Sequence, residues 1–200
     1  LQKQNDVYVL FAPNEQEMYP EPQSYRVSPP SDLGDILEGE FRPHHFAGVA
    51  TVCAKLFIQV APDVAVFGEK DYQQLCVVRQ IVRDLDLPLT IAAAPTSRDA
   101  DGLARSSRNA YLAADERAAA PALHRAILGI AATVTRGGLV NKAIAVAERD
   151  LLEAGFRKVD YLAVRDAETL DPFEPKSGRP GRVLAAAWIG ATRLIDNVPI

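Results

Sequence analysis

Apolar residues recur along this chain with two different periods, and the change of period divides it. Val49, Val52, Cys53, Leu56, Phe57 and Val60 follow helical spacing, which predicts a helix over residues 47–59 ended by Pro62. Residues 63–67 then read as a strand. Leu75, Val78, Ile81, Val82 and Leu85 mark the inner face of a second helix over about 71–85, and residues 89–94 read as the next strand. Upstream, Val7 to Phe11 is a strand candidate stopped by Ala12-Pro13. Two proline clusters keep residues 19–31 extended or looped, with room for a short strand over 25–27. Strand, helix, strand, helix, strand predicts right-handed crossovers and a parallel sheet.

After Pro95 the pattern changes. Asp115-Glu116 open an alanine-rich helix that runs to Gly137-Gly138, and Asn141 is expected to cap another that closes at Gly155. Beyond it the patterns are short and β-like, at residues 160–164, 182–188 and 192–197, with a glycine- and proline-rich turn over 175–181. Strands joined by short turns predict an antiparallel sheet carrying a helical pair. The fold expected is thus α/β: a parallel sheet over residues 1–96, then a smaller α+β domain over 97–200.

Composition narrows the function classes. Of the 200 residues 48% are hydrophobic and 24% charged, an ordinary globular balance. A net charge of −4 without a long basic block argues against a nucleic-acid or membrane-surface binder. The most apolar stretch, residues 183–191, is too short to span a bilayer. Cys53 and Cys76 sit in helical apolar patterns and read as reduced core thiols, and three histidines without ligand spacing give no metal site built from protein ligands.

Two clusters carry chemistry. Phe67-Gly68-Glu69-Lys70-Asp71-Tyr72-Gln73-Gln74 lies where a strand enters a helix, the position at which open α/β sheets bind phosphates. Gly68 permits close approach of a ligand to the backbone, and free N–H groups at the helix start face an anion. Lys70 supplies a mobile positive charge, and Asp71 can accept from ribose hydroxyls or help hold a hydrated cation. Gln74, one turn on, shares their face. The second cluster, Asp101 to Tyr111, packs two hydroxyls, the two guanidinium groups of Arg105 and Arg108 and an amide around the run Ser106-Ser107-Arg108-Asn109, and these match the oxygens of a triphosphate. A solvated turn and a self-capped polar loop are the alternatives for the two clusters taken singly; together they favour phosphate binding. His124, in the alanine-rich helix, and Trp188, on an alanine-rich strand, read as structural.

Both runs, together with Leu37-Glu38-Gly39-Glu40-Phe41-Arg42-Pro43-His44-His45-Phe46-Ala47-Gly48-Val49 and Thr192-Arg193-Leu194-Ile195-Asp196-Asn197, resemble in order the motifs of the pantothenate synthetases, or pantoate–β-alanine ligases. The resemblance covers nearly the whole chain. It implies an incomplete Rossmann-like parallel sheet in a nucleotidyltransferase-like fold of the HIGH superfamily, and a cytoplasmic homodimer that condenses pantoate with β-alanine, using ATP and Mg²⁺ and passing through pantoyl adenylate. It implies ATP contacts from Gly68, Glu69, Lys70, Asp71, Ser106, Ser107, Arg108 and Asn109, and from the backbone of Ser97. Lys70, Ser106, Ser107 and Arg108 are the expected catalytic groups, with Gln74 on pantoate and Arg42 and His45 lining the same substrate-binding cleft. The family begins with a strand and a His-Xaa-Gly-His turn that binds ATP phosphates, and residues 1–200 contain neither. His44-His45 is no substitute, because adjacent side chains diverge. The expectation is a chain lacking the family's front part and inactive alone. A related nucleotidyltransferase, or a non-catalytic nucleotide-binding or dimerisation module, are the competing readings.

Overall fold

The computed structural model describes residue 4 and residues 6–200. Three single-turn helices, α1 (Glu15–Met18), α2 (Ser31–Gly34) and α3 (Glu38–Phe41), precede α4 (His45–Val60). The helical spacing read over 47–59 holds, and α4 begins two residues earlier. It buries Phe46, Ala50, Cys53, Ala54 and Phe57, and ends at Ala61 in the left-handed region (φ 47°), with Pro62 beyond. Strand β1 (Val64–Gly68) pairs in parallel with β2 (Thr90–Ala94), and α5 (Tyr72–Asp84) forms the crossover between them. Leu75, Cys76, Val77 and Ile81 pack from α5 against α4 and the sheet.

The described sheet has these two strands alone. The run Val7–Phe11 is not a strand: it is irregular, and Tyr8, Val9 and Leu10 are largely exposed. Strand conformation needs a neighbour to take its N–H and C=O groups, and among the described residues this run has none. Residues 25–27 are also irregular. There the Thr51 hydroxyl takes the place of a neighbouring strand, accepting from Val27 N at 3.0 Å and donating to its carbonyl at 3.2 Å.

The chain beyond β2 builds an antiparallel sheet in the order β3 (Lys158–Asp166), β4 (Gly181–Ile189), β5 (Thr192–Pro199). Two helices, α7 (Ala122–Thr135) and α8 (Val140–Glu153), cover one face: Leu123, Ile127, Ile130 and Leu151 pack with Val183, Ala185 and Ala187. From the other face Leu184, Tyr161 and Ala163 join the core around Leu75 and Phe46. Strand β4 is therefore buried on both faces, and its alanines let the two layers approach closely. A bulge in β3 places Asp160 out of register, since Val159 pairs with Ala187 and Tyr161 with Ala186.

Two helical expectations are corrected. The alanine-rich helix is two, α6 (Ala114–Ala119) and α7, interrupted at Ala120-Pro121 because proline has no N–H to bond back into the preceding turn. Asn141 lies inside the first turn of α8, whose cap is Leu139 with no side-chain bond. The combined run Ala114–Thr135 is long and apolar enough to cross a membrane, with mean hydropathy 1.2, but it supplies Leu123, Ile127 and Ile130 to the core.

Leu75 is 1% exposed and Leu128, on the outer side of α7, is 46% exposed. Leu75→Ala is expected to cost about 2–5 kcal/mol in urea unfolding at unchanged denaturant slope. Leu128→Ala should stay within about 1 kcal/mol. Equal losses would contradict this core.

Candidate active site

Strand β1 ends at Gly68, a 3₁₀ turn covers Glu69–Asp71, and α5 starts at Tyr72 without a side-chain cap. Lys70, Asp71 and Gln74 line one narrow cleft together with Arg42, His45 and Glu38, and β5 closes it through Ile195, Asp196 and Asn197. The neighbouring Gln73 has a different task. It is 3% exposed, donates to the carbonyls of Leu33 (2.8 Å) and Ile36 (2.9 Å), and accepts from Glu38 N (3.0 Å). Those bonds pin the loop that delivers Arg42 and His45. The same loop is held from inside at Gly39, where a Cβ would fall 1.8 Å from the Gly34 carbonyl oxygen.

Charge in the cleft is uneven. Glu38 is neutralised: Arg193 donates from Nη1 at 2.8 Å and the Tyr161 hydroxyl at 2.8 Å, while Arg193 Nε donates to Asp160 at 2.7 Å. Trp188 Nε1 donates to the same Asp160 oxygen at 3.0 Å. Burial would raise the Glu38 pKa, but its bond and attraction to Arg193, with help from Tyr161 and Arg42, hold it below the usual carboxylate range. By contrast Arg42, Lys70 and Arg108 form no ion pair among the described residues. Two of these three cations, Arg42 and Lys70, line this cleft and favour an anionic ligand there.

The second cluster reaches the same place. Residues Ser107–Tyr111 form a 3₁₀ turn capped by Ser106, whose hydroxyl accepts from Arg108 N at 3.2 Å, and Asn109 Nδ2 donates to the Ala104 carbonyl at 3.1 Å. Ser106, Arg108 and Asn109 line a second narrow space shared with Lys70 and Asp196. Arg42 and Arg108 also border a larger cavity of about 780 Å³, walled by Phe41, Tyr111 and Trp188. Its size suits a nucleotide-sized molecule.

Other expected site residues lie around this centre rather than in it. Ser97 and Ser107 are exposed, and the Ser97 carbonyl accepts from Arg105 N at 2.8 Å. Gly68 ends β1, and the Glu69 carboxylate is held by Arg182 at 3.1 Å. His124 is a framework residue 3.3 Å from Asp196, which Arg98 grips with two bonds of 2.7 and 2.8 Å. Sequence reasoning assigned no role to Glu38, Asp160, Arg193 or Asn197. The available signal was charge inside apolar strand patterns, as at Arg193 and Asp196, which requires buried partners.

Comparison with known proteins agrees with the fold. A family model described as pantoate-beta-alanine ligase matches residues 1–199. Among solved structures, pantothenate synthetase from Thermus thermophilus is similar at 46% identity and a TM-score of 0.89, covering 98% of this chain and 71% of that one. The pantoate-beta-alanine ligase of Francisella tularensis, solved with beta-gamma ATP and beta-alanine, is similar at 31% identity and a TM-score of 0.78, covering 98% of this chain and 66% of that one. The family match and the shared fold define a ligase that joins a carboxylate to an amine. The chain belongs to the pantoate–β-alanine ligase family, whose reaction condenses pantoate with β-alanine to pantothenate. This favours neither the nucleotidyltransferase nor the non-catalytic module.

His45 supplies a pH test. Burial lowers its pKa first and the Arg42 guanidinium next; Glu38 and then Asp71 oppose them, and Arg108 adds the smallest lowering contribution. Its NMR titration midpoint should therefore fall below the ordinary value of about 6.5. Because the folded state prefers the neutral ring, this contribution to stability is present above the ordinary value and is lost as pH falls through the folded midpoint. A midpoint above the ordinary value would contradict the arrangement of cations around the ring.

Proposed function

We propose that this chain acts in an ATP-dependent ligase that activates pantoate as pantoyl adenylate before β-alanine attacks. A pantoate carboxylate oxygen bonds to the α-phosphorus of ATP and the bond to pyrophosphate breaks. The β-alanine nitrogen then bonds to the acyl carbon, the bond to AMP breaks, and the amine proton leaves to solvent. The observation that carries this reading is the convergence of Lys70, Asp71, Gln74, Arg42 and His45 in one cleft, with Ser106 and Arg108 beside Lys70. No enzyme nucleophile is required, because the adenylate itself is the activated acid. The protein's work is to align the attack and stabilise phosphate charge.

Lys70 meets the phosphate oxygens as charge develops, assisted by Ser106, Ser107 and Arg108. Gly68, Glu69, Asp71, Asn109 and the Ser97 backbone complete the nucleotide's surroundings. Gln74, Arg42 and His45 orient pantoate. Mg²⁺ fits as an ion carried by the nucleotide: the described residues contain no cluster of three metal-ligating side chains, and the exposed Asp71 carboxylate is available to its hydration shell. Residues 1–96 carry the Lys70 turn and residues 97–200 form the unit that closes against it. The family resemblance supports a homodimer working in the cytoplasm.

Lys70→Ala should slow single-turnover adenylate formation by the equivalent of about 2–4 kcal/mol of barrier while pantoate binding is nearly kept. An unchanged rate removes Lys70 from the catalytic set. Gln74→Ala should instead weaken pantoate by about 1 kcal/mol in calorimetric titration and leave ATP affinity nearly intact. Equal losses for both ligands would assign Gln74 to the fold.

A further inference from the structure

The turn that carries Lys70 is not held by its own helix. Asp71 precedes α5 with φ −95° and ψ 61°, outside the helical region, and its side chain makes no cap bond. The carbonyls of Glu69 and Lys70 are instead taken by one side chain from the far end of the sequence. Asn197 Nδ2 donates to both, each at 2.9 Å. Asn197 is 3% exposed and lies on β5 opposite Leu184. Its Oδ1 accepts from Arg182 Nε at 2.7 Å, which settles the amide orientation, since the reverse would set an oxygen against two carbonyls.

Arg182 extends the grip. It donates from Nη2 to the Glu69 carboxylate at 3.1 Å, and its guanidinium lies 3.8 Å over the Tyr72 ring. Tyr72 in turn donates to the Ala167 carbonyl at 2.7 Å. Asn197 itself is braced from behind: its N–H donates to Asp196 Oδ1 at 2.7 Å, and Arg98 holds Asp196. Both polar atoms of the Asn197 side chain are thus used to fix the turn on which Lys70 sits.

We propose that Asn197, braced by Arg182, is a positioning residue for Lys70: the β4–β5 pair sets where the lysine ammonium stands relative to the reacting phosphate. This inference rests on the reading of Lys70 as a phosphate-binding group. It makes the antiparallel sheet a fixed part of the phosphate site as well as a cover for it.

The test is a double-mutant cycle in the enzyme, with Lys70→Ala, Asn197→Asp and the double variant. Asn197→Asp keeps the acceptor for Arg182 and turns a second oxygen towards the two carbonyls. It should slow single-turnover adenylate formation by up to about 100-fold, as a displacement near 1 Å does. Pantothenate formation from supplied pantoyl adenylate and β-alanine should change by less than about threefold, a split that general loss of structure would not produce. The double variant should be within about threefold of Lys70→Ala alone, because a misplaced lysine and an absent one cost the same step. Asn197→Ala, which introduces no charge, decides the matter if the aspartate variant does not fold. Additive losses in the cycle, or equal slowing of both half-reactions, would overturn the positioning role while leaving Lys70 in place. A silent Lys70→Ala would overturn the reading of Lys70 itself, and this inference with it.

Discussion

A guanidinium or carboxylate removed from water must meet its counter-charge, and the arrangement of this molecule follows from that requirement at three places. Arg193 on β5 joins Glu38 of the early loop to Asp160 of the bulged strand. Arg182 on β4 reaches Glu69 beside the phosphate turn. Asp196 collects Arg98 from the connection after β2. Each pair links segments far apart in sequence. Losing one partner would strip the other charge of its ion pair, so the contacts fix where the early loop, the turn and the antiparallel sheet meet.

Apolar packing supplies the bulk of the attraction but little of this precision. The buried middle of β4 is mostly alanine, with Val183 and Leu184 as its larger residues, so helices α7 and α8 sit on one face and the α4–α5 core on the other. Such surfaces are tolerant of small slips. The polar contacts are not, because a displaced amide or carboxylate loses its hydrogen bonds at once. The candidate site lies where the two kinds of contact coincide, between the 3₁₀ turn after β1 and the outer strand β5. Arg42, Lys70 and Arg108, which form no ion pair among the described residues, line its spaces in pairs, while Arg182, Arg193 and Asp196 behind them are ion-paired. A site so divided is rigid at its back and receptive to anions at its front.

Much of this was legible from residue order alone. Period 3.6 identified α4 and α5, and short apolar runs identified both parallel strands and all three antiparallel ones, because burial of one face imposes these periods on any sequence that forms them. The Lys70 turn and the Ser106–Asn109 cluster stood out by residue type, and their resemblance to one ligase family needed no coordinates. Local signals misled where a neighbour decides the outcome. Val7–Phe11 has the composition of a strand but no described partner, Asn141 has the chemistry of a cap but sits within the first turn, and Pro121 divides a helix whose apolar pattern runs on across it.

What the sequence by itself determined is therefore the inventory: the helices and strands, the phosphate-type groups and the family. What only the tertiary structure decided is partnership. Gln73 and Gln74 are indistinguishable as letters, yet one is buried holding the Leu33–Glu38 loop and the other lines the cleft. Glu38 finds Arg193 across 155 residues, and Asn197 finds the carbonyl of Lys70 across 127. Periodicity records which face of an element is buried. It carries no record of which distant polar atom waits on that face, because hydrogen-bond geometry exists only after the chain has closed.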